Sequence, residues 1–202
     1  MKLGREGIFH RWLPRKVRRH DDARAVASPA RSVSMLSTVL DSGRQMFLYQ
    51  VDFGGGERNV VSLLEPDWVS RHGLNPDAVV AVLPAGATPD DVHPNDVREN
   101  GPFLRLLSRT IFENADRHDM LRREAEIQGD GYVYLLDGRT PDPGGRVPPQ
   151  DIVGAFEVRD GALVIGSYRH NPQHRLFTTA GWFRLPSAIE AALQSRLRTP
   201  PG

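Results

Sequence analysis

The sequence predicts an α+β fold, a mainly antiparallel sheet forming a C-terminal meander packed with three or four helices. Three observations lead there. Short runs rich in Val, Tyr, Phe and Ile recur from Tyr132 onward, separated by turn residues. Asp160-Gly161 sits between two of these runs, and Asp-Gly is a strong hairpin signal because a type I′ turn needs positive φ at both positions. Helical periodicity is concentrated between Phe103 and Gln128 and again after Ser187.

The chain opens on a basic arm. Residues 1–20 hold Lys2, Arg5, Arg11, Arg15, Lys16, Arg18 and Arg19 against the single acid Glu6. That is +6 on the arm and −5 on the remainder of a chain whose total is +1. Ile8, Phe9, Trp12, Leu13 and Val17 recur at helical spacing, interrupted at Pro14. A basic amphipathic arm on an acidic body suits an anionic partner, either nucleic-acid phosphates or anionic lipid. A tail without fixed structure is the alternative. No long apolar stretch follows the basic residues, so the arm does not read as a secretory signal. Residues 21–34 read as a linker, and Met35 could serve as the true start. The organisation is thus an arm and linker over 1–34, one globular domain over 35–198, and a tail over 199–202.

Within the domain, Ser34 to Asp41 has helical spacing (Met35 with Val39, Leu36 with Leu40) and predicts a helix stopped at Gly43. Met46 to Phe53 reads as a strand, returning after Gly54-Gly55-Gly56 as a second strand over Asn59 to Leu64. Pro66 to His72 predicts a short helix ending at Gly73, and Asn75-Pro76 opens the next segment as N-cap and first helical residue. Ala78 to Leu83 fits helix or strand equally. Residues 84–102, rich in Pro, Gly, Asp and Asn, read as an irregular connection. Phe103 to Asn114 predicts a helix with Phe103, Leu104, Leu107 and Ile111 on one face. A second helix, capped by Asp116, runs to about Gln128 and forms an antiparallel pair with the first on a sheet. Tyr132 to Leu136 is apolar on both faces and predicts a central strand. Ile152 to Val158 and Leu163 to Tyr168 form the hairpin, and Leu176 to Thr178 and Trp182 to Leu185 extend the meander, turning at Ala180-Gly181. The last helix starts at Ser187, with Glu190 placed for a capping box.

The hairpin register gives the sharpest chemical expectation. A two-residue loop pairs Arg159 with Ala162, and the same register sets Phe156 against Ile165, Val153 against Tyr168 and Asp151 against His170. A carboxylate beside an imidazole raises its pKa and orients it, an arrangement used in general-base chemistry. His174 and Tyr168 would complete a polar cleft around this couple. Charged strand ends serving solubility are the bland alternative. His170 and His174 also have H-x-x-x-H spacing, but Asn171-Pro172 breaks the helix that motif needs, and a third ligand would have to come from Asp151 or His118. The sequence therefore predicts no metal and no cofactor. Neither Gly54-Gly55-Gly56 nor Gly129-Asp130-Gly131 completes a phosphate-binding loop, and no G-x-S-x-G is present. The long proline-rich loop over 137–151 offers Arg139, Asp142 and Arg146 as binding residues.

Composition narrows the function classes further. With no cysteine in 202 residues, disulfides, thiolate nucleophiles and Cys-ligated metals are excluded. No apolar run approaches the roughly 18 residues that span a bilayer. Of the 26 basic residues 24 are Arg, which points to a GC-rich bacterial genome and dilutes the meaning of Arg abundance elsewhere. The expectation is a soluble cytoplasmic protein, a non-catalytic binding or regulatory module recognising a protein partner. The alternatives are a small hydrolase or transferase using Asp151 and His170, and a nucleic-acid or membrane-surface protein docking through Arg11, Trp12, Arg15, Lys16, Arg18 and Arg19.

Overall fold

β-Branched and aromatic residues between Ser32 and Glu99 assemble a five-stranded antiparallel sheet in a computed structural model that describes residues 32–41, 44–52, 54–115, 118–139 and 146–199. The proposed arm lies outside the described residues, as do Asp116 and Asp142. Strands β1 (Ser32–Asp41), β2 (Arg44–Asp52), β3 (Glu57–Ser62), β4 (Val79–Leu83) and β5 (Arg98–Glu99) lie side by side in that order. Ser32–Asp41 is thus a strand and not the expected helix. It pairs with β2 from Ser32↔Asp52 to Asp41↔Arg44, with a bulge between Met35 and Ser37. Met35 and Leu36 are exposed, so no core selects a helical stripe, and an isolated helix of that length has too few hydrogen bonds to offset its nucleation. The ambiguous segment Val79–Leu83 is buried along its whole length, as befits a strand near the middle of a covered sheet.

Helix α1 (Pro66–His72) ends at Gly73, whose φ of 78° releases the chain. Asn75 accepts a hydrogen bond from the Asp77 N–H and caps a 3₁₀ turn, Pro76–Ala78, that leads into β4. Helix α2 (Gly101–Asn114) buries Phe103, Leu107 and Ile111, as its periodicity predicts, and Thr110 with them, while Leu104 is half-buried. Helix α3 (Asp119–Gln128) is capped by the His118 ring, which accepts from the Leu121 N–H at 3.2 Å. The expected helix pair does not form as such. α2 packs chiefly on helix α4 (Ser187–Leu197), while α3 covers strands β6 (Gly131–Leu136) and β8 (Ala162–Leu163). Nor is there a capping box at Ser187: the α4 terminus has no side-chain cap, and Glu190 instead binds Arg44 at 2.9 Å.

The second sheet centres on β7 (Ile152–Arg159), not on β6. Strand β6 pairs only with β7 among the described residues, while β8 and β9 (Arg169–His170) share the other edge of β7. The apolar character of β6 on both faces is uneven in place: Val133 and Leu135 are buried, whereas Tyr132 and Tyr134 are half-buried. The Asp160-Gly161 turn has the expected positive φ angles of 50° and 74°. Beyond it the register holds for Arg159↔Ala162 and Val158↔Leu163, and the Val164 N–H still donates to the Glu157 carbonyl at 2.8 Å.

The chain then leaves the sheet. It turns over Ile165-Gly166, and the Ser167 hydroxyl, in place of a backbone carbonyl, accepts the Glu157 N–H at 2.9 Å. β9 returns with Gly154↔His170 and Ala155↔Arg169, three residues out of the expected register. Ile165, expected opposite Phe156, is 96% exposed. Gly154 permits the new register. A Cβ there would lie 2.7 Å from the Arg169 carbonyl oxygen and inside the Tyr168 ring, so only glycine allows the approach. A separate ribbon, β10 (Phe177–Thr178) with β11 (Gly181–Trp182), turns over Thr179-Ala180, one residue before the expected turn. One buried cluster runs from Met46, Val60 and Ala81 through Phe103 and Ile111 to Val133, Phe156 and Phe183. Among the described residues no helix is long and apolar enough to cross a membrane.

Candidate functional site

Asp137 follows the last residue of β6, and a buried polar network is built around it. Its backbone N–H donates to the Asp151 carbonyl at 2.7 Å, which ties the end of β6 to the start of β7. Its Oδ1 accepts the N–H groups of Arg139 and Arg184 at 3.1 and 2.8 Å, an Asx turn extended to a second segment. Its Oδ2 accepts from Arg139 Nη2 and His174 Nε2, both at 3.0 Å. Arg139 then spreads its guanidinium: Nη2 also reaches Asp151 Oδ1 at 3.1 Å and the Arg175 carbonyl at 2.7 Å, and Nη1 reaches Thr178 Oγ1 and the Gly181 carbonyl. The side chains of Asp137, Arg139 and His174 are fully buried. One fixed cation thus holds two carboxylates in a medium where either acid alone would be costly.

Asn171 sets the height of His174. Its side-chain amide donates to the carbonyls of Pro149 and Ile152 at 2.7 Å each, its Oδ1 accepts the Gln173 N–H, and its own carbonyl accepts the His174 N–H. On the other side of His174 the ring of His170 stands edge-on, 6.0 Å away between centroids. The Tyr168 hydroxyl is 3.3 Å from His170 Nδ1. Burial, and then the proximity of His174, pushes the His170 pKa down to about 4, and burial raises that of Tyr168. His170 is therefore neutral at neutral pH. This reverses the expectation of an upward shift, because the expected carboxylate partner is absent: Asp151 faces Arg139, and the altered register of β9 sets His170 against Gly154.

The structure therefore gathers Asp151, Tyr168, His170, His174 and Arg139 in one region, with pairings other than those the sequence predicts. Arg146 stands exposed, outside the network. Asp137 and Asn171 were not anticipated. Both precede residues that favour turns (Asp137-Gly138, Asn171-Pro172), and that turn chemistry is the signal that could have found them. No group of three or more His, Asp or Glu side chains among the described residues is arranged to hold a metal ion. The carboxylates of the cluster are engaged by fixed donors, and what Arg139 does mechanically is to anchor three backbone segments, at Gln150, Arg175 and Gly181.

Those segments form one wall of a surface groove. Its larger basin, about 740 Å³, runs between the 94–104 stretch and residues 149–150 and 173–178. A smaller basin of about 360 Å³ continues it past Trp182, with Pro94, Phe177 and Thr178 shared between the two. The first volume alone is within the range of pockets that hold small ligands or peptide side chains. Phe177 lines both basins, half-buried, with its ring tilted at 38° against the buried Trp182 ring, 4.7 Å between centroids. Glu99 crosses the base, its Oε1 accepting the Leu176 N–H at 2.6 Å. Arg175 Nη1 lies 3.9 Å from the other Glu99 oxygen, a loose contact that leaves the guanidinium exposed. The irregular connection over 84–102 thus supplies a wall of the groove, a role its composition does not reveal. No protein-family model matches the chain, and no curated protein or solved structure matches it significantly.

Proposed function

We propose that this chain is a non-catalytic binding module that takes an extended segment of a protein partner into the groove between β5 and β10. One observation carries the reading: both strands line the groove, and each is paired along one edge only among the described residues. An unpaired edge offers backbone N–H and C=O groups to an incoming strand, and flanking pockets read alternate side chains. The two connected basins, with Pro94 and Phe177 between them, suit a run of residues better than a single compact ligand. Arg139 and Asp137 serve this reading as the buried frame that keeps the β10 wall in place.

The test is selection of binders from a displayed library of random peptides on the full chain. Asn95 lines the larger basin with an exposed side chain, so Asn95→Trp fills the groove without touching the frame. The selected peptides are expected to bind this variant about tenfold more weakly or worse, at unchanged melting temperature. Binders indifferent to the substitution, or no binders at all, would overturn the reading.

A further inference from the structure

The larger basin has an electrostatic imbalance. Arg98 and Arg175 line it against one acid, Glu99, whose carboxylate is already engaged by the Leu176 N–H. A third guanidinium is close by. Arg105 folds back over Gly101, its Nη1 3.5 Å from where a Cβ on that glycine would sit, and Gly101 lines the same basin. Arg105 forms no hydrogen bond or ion pair with any described residue. Its position is unfavourable by itself, because Gly101 begins α2, whose amino end is electropositive and has no acid in its first turn. Asn100, which could soften that end as a cap, directs its side chain to the carbonyls of Pro76 and Val79 instead. The other basin differs in sign, with Asp90 as its one acid and His93 beside it. The groove is thus polarised along its length.

Resting on the binding-module reading, we infer that the partner segment is acidic at one end, and that its carboxylates sit between Arg98, Arg105 and Arg175 while apolar residues follow over Phe177 toward Trp182. The charge complementarity selects the acid. The apolar continuation of the groove selects a peptide over a small free anion, which would leave the half-buried Phe177 uncovered. Arg suits this task because its planar fork binds a carboxylate through two parallel hydrogen bonds.

Two displayed peptide libraries of equal length separate the possibilities, one doped with Asp and Glu among apolar residues and one with Lys and Arg. The full chain is expected to enrich the acidic library only. The double variant Arg98→Glu, Arg175→Glu is expected to lose on the order of 10- to 100-fold in affinity for those peptides and to enrich the basic library instead. The exchange of preference shows that the variant is folded and that charge is read at this place. Enrichment without regard to charge would overturn this inference and leave the groove reading standing. Failure of both libraries would overturn both. Thermal stabilisation by inorganic phosphate or citrate, lost in the double variant with no acidic peptide captured, would assign the basin to a small anion and overturn the peptide.

Discussion

Arg139 is the residue on which the polar interior turns, because its guanidinium bridges two buried carboxylates. Replacing it with Leu removes the guanidinium that Asp137 and Asp151 share, and taking one partner from a buried ion pair costs about 3–5 kcal/mol. Arg139→Lys keeps the charge but has no fork to serve Thr178, Gly181 and Arg175 together, so it should cost less, on the order of 2 kcal/mol. Urea denaturation reads both, and a loss below about 1 kcal/mol for Arg139→Leu would show that the network frames nothing. His170 gives a second residue-scale outcome. Its pKa falls from the ordinary 6.5 to about 4 on folding, so between those values the unfolded chain binds a proton that the folded chain does not. Stability on this account is present above pH 6.5 and is lost as the pH falls toward 4. After a discount for the part of the ring that solvent reaches, the loss is on the order of 2 kcal/mol. His170→Gln should flatten this part of the pH–stability curve relative to the unaltered protein. An identical slope in the two would sink the assignment.

At the scale of elements, what was legible in the sequence was what is decided locally. The Asp160-Gly161 hairpin, the buried stripe of α2 and the Gly73 stop are each fixed within a few residues, and all three stand in the structure. What was not legible depends on distant partners. Strand β1 has helical spacing in sequence, but its hydrogen bonds go to β2, and its exposed position removes the burial that makes periodicity informative. The same holds for the site. Asp151, His170 and His174 were identifiable as a polar group, yet their pairing hung on a register that Ser167 and Gly154 shift by three residues. Gly154→Ala tests that mechanism. The added methyl would collide with the Tyr168 ring and the Arg169 carbonyl, and since one of these is backbone, β9 has to move. The expected cost is about 2–3 kcal/mol, with loss of protection of the β7–β9 amides in hydrogen exchange. Retention of both stability and protection would mean that the register is set elsewhere.

Across the whole molecule the question is whether the two sheets unfold as one. Their apolar residues belong to one buried cluster, and α2 lies within it, with Phe103 set edge-on to Phe183 at 5.8 Å. Polar ties cross the same boundary. Arg44 at the start of β2 donates to the Phe183 carbonyl, lies 4.3 Å from the centre of the Phe183 ring and binds Glu190 of α4. Glu113 of α2 meets Arg196 of α4 at 2.6 Å, and Glu65 before α1 meets Arg198 at 2.9 Å. These exposed or half-exposed pairs add little each, so the coupling has to come from the core. The expectation is one cooperative transition, in which amides of β3 and β7 open with free energies that agree within about 1 kcal/mol. Phe103→Ala makes the test sharp, because it removes a ring with no solvent exposure from the helix between the sheets. It should lower the opening free energy of both strands by about 3–5 kcal/mol, whichever sheet the probed amide belongs to. If β7 lost protection while β3 kept it, the sheets would be separate cooperative units, and the groove between β5 and β10 would lie across a boundary able to open.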